Sequence, residues 1–409
     1  MISAIANLSK DVRQYMLVTF NYWNFTITDG ALRMLVVLHF HQLGYSSLQI
    51  ASLFLFYEFF GVVTNLIGGW LGAKLGLNRT MNIGLAMQVG ALVMLAVPSA
   101  YLTVPWVMLA QAVSGIAKDL NKMSAKSAIK TLVPDEKQGA LYKWIAILTG
   151  SKNALKGAGF FIGGLLLAVV GFKGAVLAMA AVLALVLILS LVSLEKDMGK
   201  AKNKIQFKQI FSKSESINIL SAARMFLFGA RDVWFVVALP IYLSQVFDWD
   251  HTMVGGFLAL WVIAYGFVQG IAPKITGKAK GTVPDGRAAM GWAGLLSVIT
   301  MGVALGVQFN WQPEFTIVVG LLIFGAVFAV NSSLHSYLIV SYAKDDGVSL
   351  DVGFYYMANA MGRLIGTVLS GLVYQYAGLA ACLWVSVVFL VLTTIISIRL
   401  PAHPEKAKA

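Results

Sequence analysis

Apolar runs long enough to cross a bilayer, separated by short polar stretches, fill most of the chain. A membrane-crossing helix needs about twenty predominantly apolar residues, and on that measure the pattern predicts twelve helices. The first runs from Tyr15 to His41 and the second, after the tight GYSS stretch, from Leu48 to Lys74. The third covers Thr80–Val97, an outer turn spans Pro98–Pro105, and the fourth ends near Leu132. The fifth and sixth cover Gly139–Val170 and Gly174–Leu194. Six more follow, at Ile217–Val246, Thr252–Ile275, Ala288–Val307, Glu314–Ser341, Leu350–Tyr376 and Leu379–Leu400.

The longest polar segment is EKDMGKAKNKIQFKQIFSKSES, Glu195 to Ser216, and it is the best boundary in the chain. The expected organisation is therefore a six-helix half over residues 1–195 and a basic linker over 196–216. A second six-helix half follows over 217–400, then a polar tail over 401–409. Traces of repetition link the halves. GGLLLAVVGF (Gly163–Phe172) can be laid on SGLVYQYAGL (Ser370–Leu379), which places Lys156 over Arg363. TDGALR in the first helix and FGARDVW in the seventh each carry an acid and a base at a similar depth. Transporters built from two such halves bind substrate near the midplane.

Composition agrees with an all-α polytopic membrane protein. Hydrophobic residues make up 58% of the chain and charged residues 12%, with a mean hydropathy of +0.78. A soluble domain carries roughly twice that charged fraction. The formal net charge of +13 suggests nucleic acid as a partner only until its distribution is considered. Lys74, Arg79, the linker, the Lys274–Arg287 loop and the tail all fall on one side of a twelve-helix topology. Positive charge is retained in the cytoplasm, so both termini are expected there, in the inner (plasma) membrane. No nucleic-acid partner is expected; the bilayer is the surrounding partner, and a monomer is anticipated. The N-terminus lacks a small-residue cleavage site and does not resemble a removable signal. A lone Cys382 supports neither a disulfide nor a zinc site.

Topology leaves a second group of basic residues unexplained. In QAVSGIAKDLNKMSAKSAIK (Gln111–Lys130), Lys118, Lys122, Lys126 and Lys130 recur every four residues. Residues i and i+4 share a helix face, so the ammonium groups form a stripe. A charge at the bilayer centre costs about 2.5–3.5 kcal/mol on insertion scales, so this stripe is expected to line an anion pathway. Lys126, Lys130 and Lys143, nearer the helix ends, are expected to snorkel toward headgroups. Lys152 and Lys156 repeat the spacing in the fifth helix, while Arg33, Arg231 and Arg363 are central in helices one, seven and eleven.

These seven residues, Lys118, Lys122, Lys152, Lys156, Arg33, Arg231 and Arg363, are the candidate substrate contacts. The intramembrane acids are fewer: Asp29, Glu58, Asp119 and Asp232, candidate charge partners or proton carriers. For Lys118 and Lys122, pairing with Asp119 or Asp29 competes with substrate contact. Arg231 beside Asp232 can equally be a structural ion pair. Arg363 has no acid nearby in its own helix, and its planar guanidinium suits an oxyanion. Glu58, distant in sequence from bases, is the better proton carrier of the four. His39 and His41 read as interfacial, and whether His335 beside Asn331 and Ser332 faces the interior is open.

No phosphate-binding G-x-x-x-x-G-K-[ST] loop and no H-E-x-x-H site occurs, so neither ATP hydrolysis nor metal or cofactor chemistry is encoded in a recognisable motif. No nucleophile–base spacing suggests an enzyme. Gly157, Gly159, Gly163 and Gly164 give the fifth helix the small-residue character that allows close helix approach.

GGWLGAKLGLNRT (Gly68–Thr80) resembles the loop motif between helices two and three of the major facilitator superfamily, with Ala73 where that motif usually has an acid. Gly150, Gly159 and Gly163 resemble its antiporter-motif glycines, with Gly164 in place of the proline. Longer strings resemble the organoarsenical efflux permeases, the ArsJ group. They are NYWNFTITDGALRMLVVLHFHQLGY, LFLFYEFFGVVTNLIGGWLGAKLGLN, SGIAKDLNKMSAKSAIK, LTGSKNALKGAGFF and SAARMFLFGARDVWFVVALP. The resemblance implies the major facilitator fold and export of 1-arseno-3-phosphoglycerate, supplied by glyceraldehyde-3-phosphate dehydrogenase, with arsenate resistance as the outcome. It supplies no site residues; the assignment above rests on charge and depth. The rival expectations are a general organophosphate or phosphate exchanger of the same fold and, from another class, an anion channel.

Overall fold

The computed structural model describes residues 10–45, 53–132, 138–195, 198, 200, 211, 214–249, 251–276, 283–344 and 347–402. Among them every regular element is helical. Helix α1 is Lys10–Gln42, α2 Leu55–Leu75, α3 Leu77–Leu95 and α4 Val104–Leu132. The helical stretch Gln138–Ser193 is broken at Gly171 into α5 (138–170) and α6 (172–193). Helix α7 covers Glu215–Val246, α8 His251–Ile275, α9 Gly286–Gln308 and α10 Pro313–Tyr342. Val348–Ser397 is broken at Gly378 into α11 (348–377) and α12 (379–397). Twelve helices result, and their limits follow the apolar runs closely.

Among the described residues six helical stretches are long and apolar enough by themselves to cross a membrane, among them the two double helices. Helices α1 to α4 stand outside that set because polar and charged residues interrupt their apolar runs, and those residues build much of the site below. Most of the expected 196–216 linker and residues 403–409 of the tail lie outside the described residues, as does the expected start of the second helix at Leu48. Pro105, read as the end of a turn, belongs to the first turn of α4, where its missing N–H costs nothing.

Local chemistry sets the helix ends. Ser214 Oγ accepts the Ile217 N–H at 3.2 Å and Asp285 Oδ1 the Ala288 N–H at 3.1 Å, capping α7 and α9. Gly171 (φ 70°, ψ 176°) and Gly378 (φ 74°, ψ −173°) adopt the same backbone conformation, one open essentially to glycine alone. The repeat alignment superposes these two positions, so the corner after the fifth helix recurs after the eleventh.

Helix α7 is interrupted after Phe235 and resumes at Ala238. Pro240 accounts for the gap, since it has no N–H and its ring crowds the carbonyl four residues earlier. The freed amides of Val237 and Ala238 donate to Ser370 Oγ of α11 at 3.3 and 3.1 Å. Ser370 is fully buried, so Ser370→Ala leaves buried donors without this acceptor and is expected to cost about 1–3 kcal/mol. Thermal unfolding of the purified protein in detergent checks this; an unchanged midpoint removes the capping role.

Packing divides the chain into two compact units. One comprises Met1–Lys137, Ala154–Phe211 and Lys344–Met357; the other comprises Gln138–Asn153, Ser212–Ala343 and Ala358–Ala409. In the first, Ser349 at the start of α11 donates to the Gly69 carbonyl of α2 at 2.8 Å. In the second, Asn153 of α5 donates to Gln269 of α8 at 2.7 Å. The second unit is centred on aromatic rings. Trp234 meets Phe324 edge-on at 5.0 Å, Trp261 stacks on Tyr265 at 5.6 Å, and Phe324 stacks on Phe328 at 5.6 Å. The Trp261 indole N–H is satisfied by the Leu321 carbonyl at 2.8 Å, so the ring is buried without an orphan donor.

Candidate functional site

In the first unit α1 and α5 approach so closely that a Cβ on Gly159 would lie 2.4 Å from the Ile27 carbonyl oxygen. That contact places Lys156 Nζ 3.4 Å from Asp29 Oδ2. The other oxygen of Asp29 accepts from the Tyr57 hydroxyl of α2 at 2.6 Å. Arg33, one turn further along α1, pairs with Glu58 Oε1 at 3.1 Å and lies over the Tyr57 and Phe54 rings at 5.1 Å each. From α4, Asp119 is 2% exposed and is shared by two lysines, Lys122 at 2.6 Å and Lys118 at 3.8 Å. Lys118 also sits 3.8 Å from the Tyr57 ring centre and Lys122 4.7 Å from that of Tyr356, a cation–π geometry in both cases. Lys126 donates to the Tyr356 hydroxyl.

Arg33, Lys118, Lys122, Lys126 and Lys156 thus face three carboxylates, Asp29, Glu58 and Asp119. Asp119 is shared, so among the described residues Lys118 and Lys122 have one carboxylate between them. Three expectations change. Glu58 is not remote from bases, because Arg33 reaches it from the neighbouring helix. Lys126 and Lys130 do not snorkel; they are 3% and 6% exposed. Lys143 is exposed as expected. Lys152, grouped from sequence with Lys118, Lys122 and Lys156, is partly buried and belongs by packing to the other unit.

The second unit repeats the arrangement with arginines. A Cβ on Gly366 would lie 2.7 Å from the Gly229 carbonyl oxygen, and this close approach of α11 to α7 sets Arg363 Nε 3.2 Å from Asp232 Oδ2. Arg231 holds the other oxygen of Asp232 at 2.5 Å, and Asp232 has no exposed surface. Arg363 therefore has an acid partner, on α7 rather than on its own helix. Arg224, two turns before Arg231, donates to Asn359 Oδ1 at 2.8 Å and to the Ser332 carbonyl at 3.2 Å. Arg224 and Arg231 both lie over the Phe228 ring, at 3.9 and 5.1 Å. Among the described residues, Arg231 and Arg363 thus share one carboxylate.

Arg224, Tyr57, Tyr356 and Asn359 are not among the sequence candidates. For Arg224 the seven-residue spacing to Arg231 is the available signal, since i and i+7 share a helix face. For the tyrosines there is none: rings that hold lysines and rings that fill a core have the same spacing. His39 stacks on Phe172 at 4.1 Å. The His41 side chain lies outside the described residues. His335 is fully buried.

Twelve helices among the described residues, with charged side chains gathered in the interior of each packing unit, fit a multi-pass membrane transport protein. The chain belongs to the major facilitator superfamily, whose sequence profile matches residues 15–284. Its fold is shared by the human organic anion transporter MFSD10 (TETRAN), at a TM-score of 0.74 and 15% identity over 95% of this chain and 100% of that one. The Escherichia coli fucose:proton symporter gives a TM-score of 0.74 at 11% identity, covering 95% and 99% of the two chains. A bacterial homologue of the iron transporter ferroportin gives 0.74 at 13% identity over 95% and 99%. No curated protein is significantly similar in sequence.

Proposed function

We propose that this transporter exports an organic oxyanion, and that the anion is 1-arseno-3-phosphoglycerate, so that export confers arsenate resistance. The observation that carries the reading is the gathering of cations in both units, where among the described residues Lys118 and Lys122 share the one carboxylate of Asp119 and Arg231 and Arg363 that of Asp232. A purely structural network is best served by equal numbers, because an uncompensated buried charge is strongly unfavourable. An anion supplies the missing negative charge. The resemblance of the quoted strings to the ArsJ group favours this compound. The proposed anion contacts are Lys118, Lys122, Lys156 and Arg33 in the first unit and Lys152, Arg231 and Arg363 in the second.

With both termini cytoplasmic, in the plasma membrane, export of a multivalent anion is favoured by about 2.3 kcal/mol per charge per 100 mV of inside-negative potential. Potential-driven uniport therefore suffices, without a required proton. Asp29, Glu58, Asp119 and Asp232 then serve as charge partners. Everted vesicles given arsenate, glyceraldehyde-3-phosphate dehydrogenase and its substrates are expected to accumulate arsenic, saturably, only when the dehydrogenase is present. Uptake of phosphate esters without arsenate at the same rate indicates the general organophosphate exchanger instead. Non-saturating flux indicates a channel.

A further inference from the structure

The second unit contains a group of buried polar side chains outside the residues assigned to the substrate above. Arg224 of α7 is 3% exposed and His335 of α10 has no exposed surface. The guanidinium is fixed on two sides, by Asn359 Oδ1 of α11 at 2.8 Å and the Ser332 carbonyl of α10 at 3.2 Å, with the Phe228 ring against its face. His335 is about one helical turn along α10 from Ser332, whose carbonyl holds that guanidinium. Neither of its ring nitrogens has a hydrogen-bond partner among the protein groups, and the same is true of Ser336 Oγ and Asn331 Oδ1. Each such buried group costs about 1–3 kcal/mol if nothing satisfies it.

Geometry ties this group to the anion cluster. Arg224 and Arg231 are seven residues apart on α7, about 10 Å along the axis at 1.5 Å per residue. Asn359 and Arg363 are one turn apart on α11. The same two helices thus carry both groups, on successive levels.

We infer that Arg224, Asn359 and His335 form a second binding station, for an oxyanion that bears an O–H group close by. This rests on the anion-transport reading given above. The guanidinium takes the oxyanion. The neutral imidazole has one N–H donor and one acceptor nitrogen. A fully deprotonated anion can use the donor and leaves the acceptor nitrogen unmet. An O–H on the ligand, either a carbon-borne hydroxyl or the P–OH of a phosphate, meets it. The station selects hydroxylated or protonated oxyanions over fully deprotonated ones of equal size.

Calorimetric titration of the purified full-length protein in detergent tests this with two pairs of probes. One pair is 3-phosphoglycerate and its analogue without the hydroxyl; the other is inorganic phosphate and sulfate. The wild type is expected to prefer the O–H-bearing member of at least one pair by about tenfold, the worth of one lost hydrogen bond with a buried partner. Preference in the first pair assigns a carbon hydroxyl, and in the second a P–OH. His335→Phe is expected to abolish the preference while still binding both members, and His335→Gln, which keeps a donor and an acceptor, to retain it. Equal affinity within both pairs for the wild type overturns the station whatever the variants do, and points to resident water as the partner of His335. Preference that survives in His335→Phe overturns it too. Binding of no probe at all contradicts the anion-transport reading as well, which separates the two failures.

Discussion

Asp232→Leu is expected to deplete the membrane of folded protein. The carboxylate has no exposed surface and accepts from Arg231 at 2.5 Å and from Arg363 at 3.2 Å. Deleting it removes the carboxylate that holds both guanidinium groups. Breaking a buried pair by removing one partner costs about 3–5 kcal/mol, and a typical total stability is only about 5–15 kcal/mol. The triple variant Asp232→Leu, Arg231→Leu, Arg363→Leu is expected to regain most of the stability, because replacing a whole buried ionic group with apolar side chains is often neutral. It should not regain transport. Thermal unfolding in detergent, with fluorescence-detected gel filtration of membrane extracts, measures both; a single variant as stable as the wild type contradicts the pairing.

The second large effect concerns transport rather than stability. Lys122→Gln and Arg363→Gln are each expected to abolish arsenate resistance at normal membrane expression. Lys122 has Asp119 as a partner but shares it with Lys118, and Arg363 shares Asp232 with Arg231. Removing either cation leaves the acid still paired, which is why folding survives. The loss falls on the anion. A charge-assisted hydrogen bond contributes about 1.5–3 kcal/mol, or about ten- to hundredfold in transport efficiency. Lys173→Gln, at an exposed site next to the Gly171 corner, serves as the control that keeps resistance. Full resistance in both Lys122→Gln and Arg363→Gln contradicts the site.

The fold was legible because membrane helices announce themselves through length and apolarity, properties that survive in a single sequence. Even the corners at Gly171 and Gly378 coincide with the ends of the aligned repeat segments. The interruption of α7 before Pro240 was not anticipated, although a proline inside an apolar run is the usual cause of such a gap.

The site was legible along helices but not across them. The four-residue spacing of Lys118, Lys122 and Lys126 gives one face of α4, and Asp119 lies within reach of two of these lysines on the same helix. Arg33–Glu58 and Arg363–Asp232 join different helices at 25 and 131 residues' separation, and periodicity carries no information on which helices meet. For the same reason Lys126 looked like an end-of-helix lysine, when Tyr356 from α11 holds it in the interior. Arg224 escaped notice because its partners, Asn359 and the Ser332 carbonyl, are uncharged and distant in sequence.

The central claim is that the interior cations meet water and substrate rather than each other's acids alone. Cys382, buried in α12, is the only cysteine, so a Cys382→Ser background permits single cysteines at positions 118, 156 and 363. Labelling of these in membranes by an anionic, membrane-impermeant thiosulfonate is the direct measurement. The account predicts reaction at all three, faster than with a cationic reagent of equal size and slowed by 3-phosphoglycerate. Inert cysteines, or labelling indifferent to both reagent charge and 3-phosphoglycerate, would contradict it.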